Sequence, residues 1–152
     1  MPTQVHIYNT QSVTPIDPLS VEQVVHFSLE LQQASCDEVT IHFVEETEIC
    51  ELHDQFFNDP SPTDCITLPI DSPNTEPHCV LGEVFVSPQA ALNYVEHSDR
   101  NPYEEITLYV VHGILHLLGY EDIEEEDKQA MRAAETHVMT ALKSANLLVT
   151  SP

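Results

Sequence analysis

Residues 107–122 read TLYVVHGILHLLGYED, and no other stretch says more about the architecture of this chain. Between residues 108 and 118, all side chains except two histidines and a glycine are apolar, and they lie on almost every side of a helix. A helix of this kind is expected inside a domain, where other elements pack against it from several directions. The segment therefore predicts a central, buried helix that ends near Gly119.

Two histidines in this helix, His112 and His116, are four residues apart. That spacing places both imidazole rings on one face, one turn apart, where they can share an ion. Gly119 offers a C-cap at which the chain reverses, so that Asp122 can supply a third ligand. Two histidines and a carboxylate with an open position are typical of a catalytic zinc ion, whose bound water becomes a nucleophile. The pattern predicts one zinc ion and a hydrolase; a structural or surface pair of histidines is the alternative.

Residues near the predicted ligands indicate the catalytic roles. We predict His112 as a catalytic ligand and Glu121 as a base or an orienting group, with an exposed loop glutamate as the alternative. Glu105 is expected either to accept a hydrogen bond from a ligand or to be solvated. Position 113 is glycine, so the general-base glutamate of the HExxH metalloproteases is missing and a protease ranks lower. We expect Gly113 to leave room beside the ion for a bulky substrate.

The charge of the chain argues against a nucleic-acid surface. Its 152 residues include 4 Lys and Arg against 26 Asp and Glu, which gives a formal net charge of −22 at pH 7. Such a field repels phosphate backbones, and no DNA partner is expected. Besides Arg100, the basic residues are Lys128, Arg132 and Lys143, which a helix would align along one side. A solvated helix face is the simpler interpretation of that alignment.

The sequence also indicates where the protein works. No apolar run is long enough to span a bilayer, and the N-terminal stretch MPTQVHIYNT lacks the basic flank and apolar core of a secretory signal. We therefore expect a cytoplasmic protein without a membrane partner. The four cysteines, Cys36, Cys50, Cys65 and Cys79, form no CxxC pair, so buried, reduced thiols are expected.

The rest of the chain predicts four strands and about five helices. β-Branched and alternating residues indicate strands at 5–10 and 38–44 and from residues 65 and 80. The spacing of apolar residues indicates helices at about 20–33, with Ser20 as N-cap, and at 45–58, 88–97, 103–118 and 124–147. We predict an α+β fold in which the helices pack on a mixed four-stranded sheet. Residues 1–152 are expected to form a single domain.

The segment HGILHLLGYED (112–122) resembles the signature of the YbeY family, His-Gly-x-Leu-His-Leu-x-Gly-Tyr-Asp-His. Other segments are similar in order and spacing, namely ELHDQFFNDPSPTDCITLP (51–69), LGEVFVSPQAA (81–91) and IEEEDKQAMRAAE (123–135). The family comprises bacterial single-strand-specific metallo-endoribonucleases of ribosomal RNA maturation. The resemblance implies zinc on His112, His116 and Asp122. It also implies cytoplasmic work on the 3′ end of 16S rRNA and in ribosome quality control.

Two positions depart from the family pattern. Asp122 stands where the family has His, and its negative charge would change the acidity of the ion. Phe57 stands where the family usually has an Arg, which would clamp a phosphate and stabilise charge in the transition state. A partner protein or the ribosome could therefore supply the positive surface for single-stranded rRNA. Thr63 and Asp64 are expected either to approach the substrate or to serve as turn residues.

Two other functions stay open on the sequence alone. The first is a ribosome-associated, protein-binding module whose metal is structural and whose nuclease activity is weak or lost. Phe57 and the acidity favour that function, whereas an exchangeable water on the ion would exclude it. The second is a metallohydrolase of a small or peptide substrate, which a negative surface tolerates better than RNA. Activity on a neutral or cationic substrate, with none on single-stranded RNA, would favour this second function.

Overall fold

The structure is a computed structural model that describes residues 2–152. Within that range it contains four strands and five helices. The strands are β1 (Gln4–Asn9), β2 (Glu38–Phe43), β3 (Cys65–Pro69) and β4 (Val80–Val86). The helices are α1 (Pro18–Leu31), α2 (Glu46–Phe57), α3 (Pro88–Val95), α4 (Pro102–Leu117) and α5 (Glu125–Ser144). The predicted α+β fold, with its four strands and five helices, is confirmed.

The strands form one mixed sheet in the order β1–β2–β4–β3. β1, β2 and β4 are parallel, whereas β3 is antiparallel to β4 and forms an edge of the sheet. The register places Ile7 beside Ile41, and Ile41 beside Val84. An apolar row therefore crosses the three parallel strands, and the face that carries it is the one that the helices of the main core cover.

The helix α4 lies at the centre of the main core. Of its 16 residues, nine are buried: Ile106, Thr107, Tyr109, Val110, Val111, Gly113, Ile114, Leu115 and Leu117. It packs against β3 and β4 on one side and against α1, α3 and α5 on the others. The expectation of a central helix at this place is confirmed, because an all-round apolar helix can be buried only when neighbours surround it.

The helix α2 packs on the opposite face of the sheet. Val84 and Val86 of β4 belong to the main core, so Phe85 between them points to the other side. There Phe85 joins Ile49 of α2 and Ile66 of β3 in a second, smaller apolar cluster. α2 therefore covers the part of this face formed by β3 and β4.

Two predicted helix ends differ from the structure. α1 begins at Pro18 rather than Ser20, because the Asp17 side chain caps it by accepting the Leu19 N–H at 3.2 Å. Pro at the first helical position suits that start, since no N–H is lost there. α5 ends at Ser144 rather than near Leu147. Asn146 adopts a φ of +57°, and the Leu147 N–H donates to the Leu142 carbonyl at 2.9 Å, which closes the helix without a glycine.

The cysteines carry free thiols, and the helices that the structure describes lack the character of membrane spans. All four cysteines are unpaired, as predicted; Cys36 and Cys79 are buried, whereas Cys50 and Cys65 are only half-buried. Among residues 2–152, no helix combines the length and the apolar character that crossing a bilayer requires.

Candidate metal centre

Helix α4 and the turn after it bring three side chains together. The rings of His112 and His116 are 4.5 Å apart between their centroids. Asp122 Oδ2 lies 3.6 Å from His112 Nε2 and 3.3 Å from His116 Nε2. Within residues 2–152, these three form the one group of His, Cys, Asp or Glu side chains whose ligand atoms all lie within 4.8 Å of one another. The structure therefore places together the three residues predicted as metal ligands.

The turn that carries Asp122 back to the helix is a Schellman motif. Gly119 N–H donates to the His116 carbonyl and Tyr120 N–H to the Leu115 carbonyl, each at 3.0 Å. Gly119 adopts a φ of +109°, a backbone conformation that residues with a side chain rarely adopt. The reversal sends the next residues back along α4, so a short local sequence is sufficient to place the carboxylate beside the histidines.

Hydrogen bonds fix the orientation of both imidazole rings. His116 Nδ1 lies 2.9 Å from the Tyr120 carbonyl oxygen, which can only accept, so Nδ1 carries the proton. His112 Nδ1 lies 2.5 Å from Glu135 Oε2. With both Nδ1 atoms occupied, the Nε2 atoms are left facing Asp122. In the neutral rings, these Nε2 atoms have a lone pair available for a metal ion.

The partner of His112 is a residue that the sequence analysis missed. Glu135 of α5 is 5% exposed, and its other oxygen, Oε1, accepts from Arg132 Nη1 at 3.3 Å. A signal was present in the sequence. The buried face of α5 consists of Met131, Ala134, Val138, Met139 and Leu142, and Glu135 occupies a position on that same face. An acidic residue inside an apolar stripe requires a specific partner, and that partner is the metal-site histidine.

Glu105 does not take the role of hydrogen-bond partner to a ligand. Its carboxyl interacts with the Tyr109 hydroxyl, one turn further along α4. Burial raises the pKa of the Glu105 carboxyl, although the hydrogen bond with Tyr109 partly opposes that rise. Glu105 is therefore half-buried rather than fully solvated.

Carboxylates around His112 make it more basic than an ordinary histidine. Burial alone would lower the pKa of His112. The hydrogen bond and the charge of Glu135, together with the charge of Asp122, outweigh burial and raise that pKa above 6.5. The site is thus built to favour positive charge at this ring. A metal ion would supply such charge and would displace the proton.

The geometry of the donors fits a tetrahedral transition metal. Ligand bonds of about 2.0–2.1 Å at tetrahedral angles place ligand atoms about 3.3–3.4 Å apart. The separations of Asp122 Oδ2 from the two Nε2 atoms, 3.3 and 3.6 Å, are close to that value. Two imidazole nitrogens and one carboxylate oxygen suit zinc, and they also suit other first-row metals. An ion held by these three residues would have a fourth position for water, and all three residues line an open cleft.

The donors open into a cleft of about 470 Å³ at the β3 edge of the sheet. Thr63, Asp64 and Glu121, all predicted as candidates, lie in its lining, as does Phe57. Phe57 is 60% exposed. None of the four Lys and Arg residues, all of which the structure describes, lines this cleft. Glu121 is exposed at the rim, and its role as a base stays a prediction.

Gly113 has a different role from the one expected. A Cβ atom built on it would lie 2.4 Å from Val84 Cγ1 and 3.2 Å from Cys65 Sγ. This position therefore faces the sheet rather than a space for a substrate. The glycine allows α4 to approach β4 closely.

Comparisons with known proteins show the family to which the chain is similar. A model of the family described as "Endoribonuclease YbeY" matches residues 6–143. A protein of that name from Protochlamydia amoebophila is 46% identical over 130 residues, which cover 86% of this chain and 87% of the relative. Another from Chlamydia pneumoniae is 45% identical over 153 residues, covering 97% of this chain and 96% of the relative.

A solved structure shows the same fold at lower similarity. The solution structure of a protein from Thermotoga maritima aligns with a TM-score of 0.60 and 23% sequence identity, covering 93% of each chain.

The match of the family model over most of the chain and the identity of the relatives lead to one conclusion. The chain belongs to the YbeY family of endoribonucleases.

Proposed function

We propose that the protein is a zinc-dependent endoribonuclease that hydrolyses phosphodiester bonds of single-stranded RNA. The observation that carries this proposal is the convergence of two Nε2 atoms and one carboxylate oxygen, at tetrahedral ligand separations, in an open cleft. The names of the relatives supply the substrate class. Zinc held there would supply Lewis-acid polarisation of a phosphoryl oxygen and would lower the pKa of water.

Residues of the chain itself would orient the ligands and accept the proton. Glu135 and the Tyr120 carbonyl keep the two rings oriented by holding their Nδ1 atoms. The charge of Glu135 makes His112 a stronger donor at Nε2. Glu121 lies in the cleft lining, where we assign it the task of accepting a proton from the attacking water.

Two measurements test this proposal: the zinc content of the protein and its cleavage of single-stranded RNA. The wild-type protein, purified without added metal and then offered zinc, should hold about one zinc ion per chain by mass spectrometry and should cut single-stranded RNA. His116→Ala should lose both properties. His137→Ala is the matched control, because His137 is exposed on α5 and should affect neither. Failure of the wild type to hold stoichiometric zinc at neutral pH would end the proposal.

We further propose, as the narrower substrate, the 3′ end of 16S rRNA in the cytoplasm, with the ribosome or a partner protein engaged during cleavage. The family resemblance and the acidity of the chain support that proposal. Cleavage of an RNA carrying this 3′ segment should exceed cleavage of a scrambled RNA of equal length. Equal rates on both would exclude a preference that resides in the chain itself.

One observation favours a second candidate function. The cleft has no Lys or Arg in its lining, and Phe57 is exposed at its edge, as suits a protein-binding module with a structural metal. A protein that holds zinc but leaves RNA intact, and whose zinc has no exchangeable water by relaxation measurements with a substituted paramagnetic ion, would establish that alternative.

A further inference from the structure

Three of the chain's four Lys and Arg residues line one groove, which is distinct from the cleft that Asp122 lines. The whole sequence has four Lys and Arg residues, and three of them, Arg100, Arg132 and Lys143, line a groove of about 410 Å³ between α4 and α5. Arg100 comes from the segment before α4, whereas the other two lie on α5, so the fold brings together residues that are distant in sequence. Lys128 is not in the lining.

The groove differs electrically from the rest of the molecule. Its lining has three cations and three carboxylates, Glu104, Glu105 and Glu135, and is therefore formally neutral in a chain of net charge −22. Lys143 Nζ lies 2.5 Å from Glu104 Oε1, and Arg132 pairs with Glu135. Both cations keep exposed surface, since the Arg132 and Lys143 side chains are 79% and 49% exposed. Each can therefore contact a phosphate without breaking its ion pair.

A continuous surface connects the metal cleft with this groove. Thr63 and Asp64 line both the cleft and a neighbouring hollow, and Tyr94 lines that hollow. Tyr94 is 61% exposed, and the Arg100 guanidinium lies over its ring, 5.8 Å from the centroid. Arg100 in turn lines the groove. Exposed aromatic rings followed by cations are the features by which proteins bind single strands, because bases stack on the rings and phosphates contact the cations.

We propose that single-stranded RNA held in the metal cleft continues across Tyr94 into the α4–α5 groove, where Arg100, Arg132 and Lys143 contact its phosphates. This inference rests on the proposed endoribonuclease function. It explains how an acidic protein without cations in its cleft can hold RNA. At physiological ionic strength the Debye length is about 8 Å, so distant carboxylates are screened whereas cations in contact with phosphates are not.

The experiment measures RNA binding separately from cleavage. A fluorescent single-stranded RNA of about 12 nucleotides, long enough for cleft and groove, is titrated with metal-free protein in EDTA, and its anisotropy is followed. Arg100→Gln and Lys143→Gln should each weaken binding by about five- to tenfold, and each should lower the salt dependence of the affinity by about 0.7 in log–log slope. Lys128→Gln is the matched control, because it removes the same charge outside the groove and should bind like wild type.

Two further variants test the path and the ion pair. Tyr94→Ala should weaken binding by about fivefold or more, since a stacked base is lost. Glu104→Gln should tighten binding, because it releases Lys143 from its carboxylate. Both side chains are surface groups, so circular dichroism should show unchanged folding.

The outcomes separate this inference from the proposed function. One outcome would overturn RNA binding in the groove and leave the proposed nuclease function standing. In that outcome the wild type cleaves RNA, and the Arg100, Lys143 and Lys128 variants bind RNA with equal affinity. Selective loss of affinity in the groove variants would support the groove even if no cleavage were seen. Displacement of the RNA by polyglutamate at equal charge concentration would also overturn it, because an acidic peptide would then be as good a ligand.

Discussion

At the scale of single residues, Glu135 serves the site rather than the core. It is a buried carboxylate on a helix face that otherwise packs apolar side chains, and it makes its hydrogen bonds to His112 and Arg132. Burying a charge is costly unless it is paired, and removing one partner of a buried pair leaves the other without its hydrogen bond. Its presence on that face is explained by what it does to His112.

Replacing Glu135 should therefore weaken both the fold and metal binding, to different extents. We expect Glu135→Leu to lower the free energy of unfolding of the metal-free protein by about 1–3 kcal/mol, because the His112 Nδ1–H loses its acceptor. The zinc affinity should fall by about 10- to 100-fold, because His112 loses its orienting partner. Thermal unfolding in EDTA and zinc competition with a chelator measure the two effects. Glu135→Gln keeps the shape and an acceptor oxygen, so its zinc affinity should lie between those of the wild type and Glu135→Leu. Equal zinc affinities in the wild type and both variants would contradict this role.

At the scale of elements, the packing of α4 on β4 depends on the missing side chain of Gly113. Alanine is a better helix former than glycine by about 1 kcal/mol, so helix propensity alone favours Gly113→Ala. The added Cβ would meet Val84 Cγ1 at 2.4 Å, and forcing a methyl group into a packed core costs about 1–3 kcal/mol. The packing cost should equal or exceed the gain in helix propensity, because both methyl groups of Val84 lie within 3.1 Å of the added Cβ.

The measurement is a double-mutant cycle between Gly113 and Val84. Gly113→Ala alone should lower the free energy of unfolding, measured by urea denaturation, by up to about 2 kcal/mol. In the background of Val84→Ala, which provides space, the same substitution should be stabilising. A stabilising effect of Gly113→Ala in the wild-type background would show that α4 can move away from the sheet at little cost.

Elements also show how far the sequence could predict this molecule. The spacing of His112, His116 and Asp122 was sufficient to predict that the three side chains converge, because α4 and its glycine turn are local in sequence. The orientation of Gly113 was not accessible, since a helix that is apolar all round does not reveal which face meets the sheet. Glu135 was missed because its burial depends on how α5 docks. The Asn146 cap was missed because asparagine signals a helix end more weakly than glycine.

At the scale of the whole molecule, self-repulsion of the carboxylates should be measurable. A net charge of −22 destabilises the compact state, and the unfolded chain relieves the repulsion by expanding. Salt shortens the Debye length from about 30 Å at 0.01 M to about 10 Å at 0.1 M. We expect the Tm of the metal-free protein to rise by several degrees over that range at pH 7. The rise should shrink near pH 4.5, where carboxylates take up protons; a Tm that falls with salt at pH 7 would contradict the expectation.

The prediction that residues 1–152 form one domain also belongs at this scale. The main core contains Val5 of β1 as well as Val149 beyond α5, so residues near both ends of the chain share one cluster. We expect a single thermal transition whose calorimetric and van't Hoff enthalpies agree. Two separate transitions in the same scan would disprove the single domain.

The locality of the metal site has one more consequence, which concerns exchange. The three donors lie within residues 112–122, so an ion would close a short ring of chain that α4 and its Schellman turn already hold in place. Closing a ring that is already ordered removes little chain entropy. An ion bound there would be able to leave and return while the protein stays folded. Under the proposed zinc-dependent function, the supply of metal would then switch existing molecules on and off without unfolding or new synthesis.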